Sequence, residues 1–343
     1  MIAGTLIVLL LLLAPLAAGA EIRVPPGFTV EVYITGRGEA PDGRVGVGIP
    51  SATSLGFDAM GTIYTTRTGR RYRDGEIEDL WPLLRFPAGG ARVNADLARH
   101  LYGPPLLNAQ IGVARAQELL VTTFDRDRGL GVLYRLVDGR AELLAGGTPP
   151  AGEAPLFKQP EGAAVDGVGH IYVADRQRGA VVKLDAAGRV LDRRWLVVSR
   201  PRLVSARDDR VWVAADGDTE APWLSGHGEV WTIRGDERRV VLGGLIVAGM
   251  DIGAGGRLFV ADRHAARIIA VDADGTSVDV ATFGEGDTPR ALAWSPVTEA
   301  TRRAGIAGNL FVVVTRRGVW SLNEIVRISG PFDDLVRGRA PAR

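Results

Sequence analysis

The sequence predicts an all-β fold: a six-bladed β-propeller of four-stranded blades, with the ring closed by an N-terminal strand. Two observations support this prediction. A strand, an Asp-Arg pair and a second strand recur almost unchanged, as IYVADRQRGAVVKLD from Ile171 and as LFVADRHAARIIAVD from Leu258. The 343 residues also include 45 Gly and 19 Pro with few long helical patterns, a composition typical of many short strands joined by turns.

The repeating unit consists of an apolar strand, a Gly turn, an aromatic-containing strand, a polar loop, a third strand, a Gly turn and a fourth strand. Its copies begin near Pro50, Leu107, Pro160, Pro201, Val247 and Pro289. Units of about 40 to 55 residues whose apolar side chains alternate on a period of two are typical of propeller blades rather than helical repeats. A lone blade cannot bury both of its faces, so six blades should pack around a common axis.

A strand that precedes the first unit is the candidate for ring closure. The segment FTVEVYI, from Phe28 to Ile34, alternates apolar and polar residues and places Val30, Val32 and Ile34 on one expected face. We expect it to pair with the last unit, because closure removes a sheet edge that would otherwise invite association.

The first 20 residues are typical of an export signal. They contain an apolar stretch from Leu6 to Leu13, then Pro15 and small residues, but no Lys or Arg, and a retained N-terminal anchor is the alternative. Residues 21–343 are predicted to form a single propeller domain in the periplasm or outside the cell. The sequence has no Cys, which excludes disulfides and thiolate metal sites.

The overall charge restricts the class of partner. The chain has 41 basic and 40 acidic residues, so it lacks the bulk field that attracts proteins to nucleic acid or to an anionic membrane. No second apolar segment of membrane-spanning length follows the first 20 residues. We expect a small polar molecule, a glycan or another protein as the partner, with no nucleic acid and no stable membrane span after signal removal.

The repeated Asp-Arg pairs lie in the loop between the second and third strands of their units, which faces one end of the propeller axis. They are Asp175-Arg176 and Asp262-Arg263, and the equivalent loops of other units are also charged. Two interpretations are open. The Asp side chains could accept hydrogen bonds from their own loops, which would make the recurrence structural, or the charged rim could recognise a polar ligand.

Residues just after the start of each unit are expected to point into the central channel. By alignment of the units these are Thr53, Asn108 or Ala109, Glu161, Arg202, Gly249 and Arg290. One carboxylate with two guanidinium groups could hold an anionic or hydroxylated ligand through forked hydrogen bonds. The alternative is a buried ion-pair cluster that sets the register of the blades.

The motifs PEGAAVD, GHIYVAD and VVKLDAAGRV resemble those of NHL-repeat and gluconolactonase-like six-bladed propellers over residues 50 to 330. The resemblance implies this architecture and, for the gluconolactonase-like proteins, a divalent cation in the channel that supports hydrolysis of an ester or lactone. This sequence departs from their pattern, with Arg290 in place of an Asn ligand and Ala248 in place of an Asp ligand. A cationic neighbour opposes a hard cation. We therefore expect no metal site and no cofactor.

The opening VPPGFTVEVY is similar to the start of exported sugar dehydrogenases that use pyrroloquinoline quinone. Such an enzyme needs a general base, usually His. The candidates are His264, which follows the second Asp-Arg pair, and His227, in an insertion on the same rim one blade earlier. A solvated loop position is the alternative for both.

The sequence thus predicts an exported propeller that binds a small polar ligand, a glycan or a protein at its charged rim and channel. A propeller enzyme is the alternative, either a metal-dependent lactonase or esterase or a quinone-dependent sugar dehydrogenase.

Overall fold

The structure is a computed structural model that describes residues 21–39, 45–47, 49–50, 52–67, 71–73, 76–78, 80–93, 97–115, 118–217, 227–253, 255–284, 286–316 and 322–335. The predicted export signal, residues 1–20, lies outside these ranges. The regular secondary structure of the described residues is almost entirely β-strand, and none of the helices they form is long and apolar enough to span a bilayer.

The strands follow one another along the chain in the order that the repeat predicts. The N-terminal segment forms β1 (Ile22–Arg23), β2 (Thr29–Glu39), β3 (Val45–Val47) and β4 (Ile49–Pro50). The first unit and its insertion form β5 (Ala52–Phe57), β6 (Ile63–Arg67), β7 (Arg71–Arg73), β8 (Glu76–Glu78), β9 (Leu80–Phe86), β10 (Ala91–Val93), a 3₁₀ helix (Ala98–His100) and β11 (Leu101–Leu107). The second unit forms β12 (Gln110–Arg115), β13 (Glu118–Asp125), β14 (Leu130–Val137) and β15 (Arg140–Gly146).

The remaining four units follow the same plan. The third forms β16 (Pro160–Val165), β17 (Ile171–Asp175), β18 (Ala180–Leu184) and β19 (Val190–Val197). The fourth forms β20 (Pro201–Arg207), β21 (Arg210–Ala215), β22 (Gly228–Arg234) and β23 (Glu237–Leu245), and the fifth forms β24 (Val247–Ile252), β25 (Leu258–Asp262), β26 (Arg267–Val271) and β27 (Ser277–Phe283). The last contains β28 (Thr288–Trp294), a short helix α1 (Glu299–Arg303), β29 (Leu310–Thr315), β30 (Leu322–Ser329) and a 3₁₀ helix (Phe332–Asp334).

Each unit is an antiparallel blade in a closed ring, which confirms the predicted fold class. From the axis outward, blade 1 has the order β5-β6-β9-β11, and blades 2 to 5 have the orders β12-β13-β14-β15, β16-β17-β18-β19, β20-β21-β22-β23 and β24-β25-β26-β27. Blade 6 consists of β28-β29-β30, and β2 supplies its fourth strand. The innermost strand of each blade therefore contacts the innermost strands of its neighbours.

The N-terminal strand closes the ring as predicted. Strand β2 pairs antiparallel with β30, with Thr29 opposite Ser329 and Glu31 opposite Arg327. The preceding strand β1 pairs with β27, the outermost strand of blade 5. Residues 21–39 therefore pair with two blades, where β1 covers the edge of β27 and β2 covers the edge of β30.

The expected face of this strand is wrong in one respect. The β2–β30 register shifts between Val32 and Ile34. A bulge of this kind inserts one residue and changes the face on which the following side chains lie. As a result Ile34 is buried between blades 6 and 1, Val30 packs on the opposite side against blade 5, and Val32 is 48% exposed.

The core lies between the blades, and small residues let the inner strands approach one another near the axis. Between blades 2 and 3, for example, Leu133 and Phe157 pack against Val173. Gly162 on β16 faces the neighbouring strand β20 so closely that a Cβ would lie 2.6 Å from the carbonyl oxygen of Arg202. Close approach of the inner strands narrows the channel and brings side chains from different blades together.

Candidate functional site

A cavity of about 670 Å³ occupies the end of the channel at which the second and third strands of the blades are joined. Guanidinium groups dominate its lining. They belong to Arg126, Arg176, Arg178, Arg200, Arg202, Arg263 and Arg290. Glu161 is the single carboxylate among the described lining residues, and the other polar groups come from Thr53, Gln110, Gln159, Gln177 and Ser199. The cavity therefore combines strong positive charge with several neutral hydrogen-bonding groups.

The first repeated Asp is a structural residue. The Asp175 carboxylate is fully buried and accepts hydrogen bonds from the backbone N–H groups of Lys158 (2.7 Å), Gln159 (2.9 Å) and Arg178 (3.2 Å). The Arg178 guanidinium lies 3.5 Å from it. This carboxylate joins the segment that enters blade 3 to the β17–β18 loop of the same blade. Asp175 was predicted as a ligand-binding residue, and the use of its oxygens inside the fold favours the structural interpretation of the repeated Asp.

The second repeated Asp has the same role in blade 5. Asp262 is 1% exposed and accepts the backbone N–H groups of Ile246 (3.3 Å) and His264 (3.1 Å), and it lies 3.4 Å from the Arg267 guanidinium. It does not line the cavity, whereas its neighbour Arg263 does. The repeated pair is therefore divided in function, since the Asp holds the loop and the following Arg faces the channel.

A cluster of guanidinium and carboxyl groups lies on the side of the cavity formed by blades 3 and 4. Asp216 binds two guanidinium groups, with Arg176 Nε 3.2 Å from one carboxylate oxygen and Arg202 Nε 3.1 Å from the other. Arg202 also donates to the Val247 carbonyl. Glu161 lies beside both arginines and accepts a hydrogen bond from Gln159 Nε2. The cluster contains two guanidinium groups and two carboxyl groups.

Burial raises the pKa of Glu161, although the neighbouring charges of Arg202 and Arg176 and the Gln159 hydrogen bond oppose that rise. Desolvation disfavours the charged carboxylate, and here it outweighs the guanidinium groups. A buried carboxyl in a cavity whose pKa is raised by desolvation is a recognised feature of groups that exchange protons in functional sites. Glu161 is therefore the cavity's candidate acid–base residue.

The opposite side of the cavity, formed by blades 5 and 6, carries positive charge without a partner. Within the described ranges, neither Arg263 nor Arg290 has an ion pair or a side-chain hydrogen bond. Burial and the adjacent charge of Arg263 lower the pKa of Arg290 to about 10, so it stays positively charged at neutral pH. Burial and the charge of Arg202 lower the pKa of Arg263 as well. These guanidinium groups are close enough to repel one another.

The structure brings together five of the predicted site residues and leaves others outside. Glu161, Arg176, Arg202, Arg263 and Arg290 all line the cavity, so the repeat alignment located them. His264 and His227 are exposed on rim loops of adjacent blades and do not line the cavity.

Asn108 is also outside the cavity. It adopts a left-handed conformation with φ 49° in the turn between blades 1 and 2, and its amide donates to the Phe124 carbonyl at 3.1 Å. The channel position of blade 2 belongs to Gln110, which the repeat alignment missed, and that of blade 5 belongs to Ala248 rather than Gly249. The turn at Asn108 delays the start of β12 to Gln110, so the channel position of blade 2 lies later in the sequence than the repeat alignment placed it. The Asn at the end of β11 was the available signal, since Asn tolerates this conformation.

A second cavity of about 510 Å³ occupies the other half of the channel and is lined by the inner strands of all six blades. Its acidic group is Asp251, which accepts the backbone N–H groups of Trp294 (2.7 Å) and Ile252 (2.8 Å). Burial raises the pKa of Asp251 to about 6. Both carboxylate oxygens are used within the fold, so Asp251 is a structural residue with an unusual protonation equilibrium.

The described lining residues do not fit the divalent cation that the gluconolactonase-like resemblance implies. Hard cations bind several oxygen ligands, and carboxylates are preferred. Glu161 is one carboxylate next to Arg202 and Arg176, and no group of three His, Asp or Glu side chains suited to a metal ion occurs in the described part of the chain. The repulsion from the guanidinium groups opposes a cation at this position.

The fold is similar to that of several solved structures. No protein-family model matches the sequence, and no curated protein matches it. A gluconolactonase from Xanthomonas campestris superposes with a TM-score of 0.51 at 14% identity, covering 83% of this chain and 89% of that one. The chain has the six-bladed fold of the gluconolactonase-like propellers.

Two other solved propellers are similar at the same level. A protein from Thermus thermophilus, named as an oxidoreductase of the glucose dehydrogenase type, has a TM-score of 0.55 at 13% identity, covering 88% of this propeller and all of that chain. A streptogramin B lyase has a TM-score of 0.50 at 10% identity, covering 89% and 98%. These proteins share architecture with this propeller at low identity, so the likeness concerns the fold alone.

Proposed function

We propose that the protein is an exported propeller that binds a small polar molecule in the cavity at the arginine-rich end of its channel. The cavity itself is the observation that carries this proposal. Its volume of about 670 Å³ lies in the range of small-molecule sites, and side chains from separate blades converge on it. A small molecule is favoured over a glycan chain or a protein, because the lining groups face inward rather than outward on a flat surface.

The neutral groups of the cavity are suited to hydroxyl groups. Gln110 and Thr53 supply donors and acceptors from blades 2 and 1, and Gln159 lies beside Glu161 in blade 3. Side-chain amides can donate and accept at the same time, which matches the hydroxyl groups of a polyol or a sugar. The ligand we propose is therefore hydroxylated.

An enzyme of the same fold is the second candidate, and Glu161 is the observation that favours it. A buried carboxyl with a raised pKa beside guanidinium groups can transfer a proton while the arginines stabilise developing negative charge. Because the lining does not fit a divalent cation, this chemistry would use protein groups. No histidine lines the cavity within the described residues, so Glu161 replaces the rim histidines as the candidate base for a dehydrogenase.

A thermal-shift screen with neutral and acidic sugars tests ligand binding, and Glu161 variants identify the site. We expect Glu161→Ala to abolish the shift that a ligand produces in the wild type while the protein stays folded. The matched control is Glu299→Ala on α1, whose exposed carboxylate pairs only with Arg303 at 2.7 Å. An unchanged ligand shift in Glu161→Ala would remove this residue from the site.

The same screen separates a binding protein from an enzyme. Glu161→Gln keeps the shape of the side chain and a hydrogen-bond acceptor for Gln159, but it cannot take up a proton. If the protein only binds, this variant should retain the ligand shift and no product should form with the wild type. Product formation by the wild type that is lost in Glu161→Gln, with binding retained, would establish the enzyme.

Export is a separate part of the proposal and rests on the composition of residues 1–20. Expression of the full chain in a bacterium, followed by cell fractionation and N-terminal sequencing, tests it. We expect the protein in the periplasm or the medium without these residues. Full-length protein in the cytoplasm would contradict export.

A further inference from the structure

We propose that the ligand is an anion whose carboxylate or phosphate group binds between Arg263 and Arg290. This inference rests on the proposed function and specifies the chemical class of the ligand. The two arginines come from neighbouring blades, Arg263 from the β25–β26 loop of blade 5 and Arg290 from the inner strand β28 of blade 6, and both line the cavity.

Two arginines on the other side of the cavity, Arg176 and Arg202, are already paired with an acid. Asp216 holds Arg176 and Arg202 at 3.2 and 3.1 Å, and Glu161 adds a second carboxyl group beside them. The side chains of Arg176 and Arg202 are only 13% and 19% exposed. Because Asp216 holds both guanidinium groups and both are largely covered, this cluster forms the part of the wall that contacts uncharged groups of the ligand.

Among the described residues, three acids of blades 5 and 6 are paired with groups other than Arg263 and Arg290. Asp262 accepts backbone N–H groups of its own loop and pairs with Arg267. In blade 6, Arg316 occupies both nearby carboxylates, with distances of 2.5 Å to Asp287 and 2.6 Å to Glu324. The fold therefore places two guanidinium groups at the cavity, while these three described acids pair with other arginines.

Two like charges that have no ion-pair partner among the described residues are costly in a partly desolvated cavity, and a bound anion removes that cost. Guanidinium groups bind carboxylate and phosphate oxygens through paired N–H donors, with a strength about twice that of neutral hydrogen bonds. Arg290 lies deep in the cavity and Arg263 nearer the mouth, because Arg263 is an exposed residue and Arg290 is not. An anionic group held by both would thus be reached from the open end of the channel.

Binding of matched probes tests the inference on the full-length protein. The probes are inorganic phosphate, D-glucuronate and its neutral counterpart D-glucose, titrated by calorimetry at constant ionic strength. We expect D-glucuronate and phosphate to bind more tightly than D-glucose. Arg290→Gln and Arg263→Gln should each weaken binding of the two anions by about 10-fold to 100-fold, the range for loss of a hydrogen bond to a charged group. Arg303→Gln, which removes an exposed paired arginine on α1, should leave binding unchanged.

The melting temperature of the ligand-free variants gives a second readout. Removing an unpartnered charge from the interior should leave Arg290→Gln at least as stable as the wild type. A clear decrease would show that Arg290 instead supports the fold, and would overturn the inference. Equal affinity for D-glucuronate and D-glucose, or full anion affinity in both Gln variants, would overturn it too and leave the proposed binding function standing. Failure of every probe, neutral and anionic, together with an empty ligand screen, would refute both.

Discussion

Substitutions at Asp175 test whether the repeated aspartates hold the blades or bind a ligand. In Asp175→Asn, one oxygen remains to accept the N–H groups of Gln159 and Arg178, while the new NH₂ group faces the N–H of Lys158 at the position where the bond is now 2.7 Å. One orphaned buried donor costs about 1 to 3 kcal/mol. Asp175→Ala removes every acceptor and leaves the Arg178 guanidinium without its carboxylate, which raises the cost to about 3 to 5 kcal/mol.

Urea unfolding followed by tryptophan fluorescence and by far-ultraviolet circular dichroism measures these free energies. The order of stability should be wild type, then Asn, then Ala. Asp192→Ala, at an exposed position on the outer strand β19, is the matched control and should change stability by much less. If both Asp175 variants were as stable as the wild type but had lost ligand binding, the structural role assigned to this carboxylate would be refuted.

Three further predictions concern the channel and the ring. Gly162→Ala should lower the free energy of unfolding measured in urea, because its Cβ would lie 2.6 Å from a carbonyl oxygen, whereas Gly243→Ala, with open space around it, should be tolerated. Deleting residues 21–35 should uncover the edge of β30 and cause aggregation in size-exclusion chromatography; a well-behaved monomer would contradict closure by β2. The raised pKa of Asp251, about 6 against 3.8, corresponds to about 3 kcal/mol of stability that is present below pH 3.8 and lost as pH rises through 6. The stability difference between wild type and Asp251→Ala should therefore fall by about 3 kcal/mol from about pH 3 to about pH 7, and a constant difference would refute this assignment.

Most of the fold was predictable from the sequence, because each blade repeats the same local pattern of strands and turns. Inner strands begin at Pro160, Pro201 and Val247, where the repeat placed them, and the other three begin within a few residues of the predicted starts. The role of the N-terminal strand followed from the need to cover an edge. The β2 bulge could not be predicted, because the sequence of β2 alternates as a regular strand does. The register shift arises only when β2 pairs with β30.

The candidate site was predictable in composition but not in detail. Alignment of the units located Glu161, Arg202 and Arg290, because equivalent positions of a radial repeat converge on the axis. The sequence does not show that Asp262 binds its own loop while Arg263 lines the cavity. These roles depend on which backbone N–H groups the folded loop presents. Equally, the sequence shows that arginines are abundant, but the partners of each one are set by tertiary structure.

The pairing of β2 with β30 also orders events during protein synthesis. Thr29 and its neighbour Ser329 are 300 residues apart in the chain, so the strand that leaves the ribosome among the first must wait for one of the last. Contacts of such long range form late, because the entropy of closing the intervening chain is lost before they contribute any stability. The ring of a nascent chain of this design therefore stays open until the final blade has been translated.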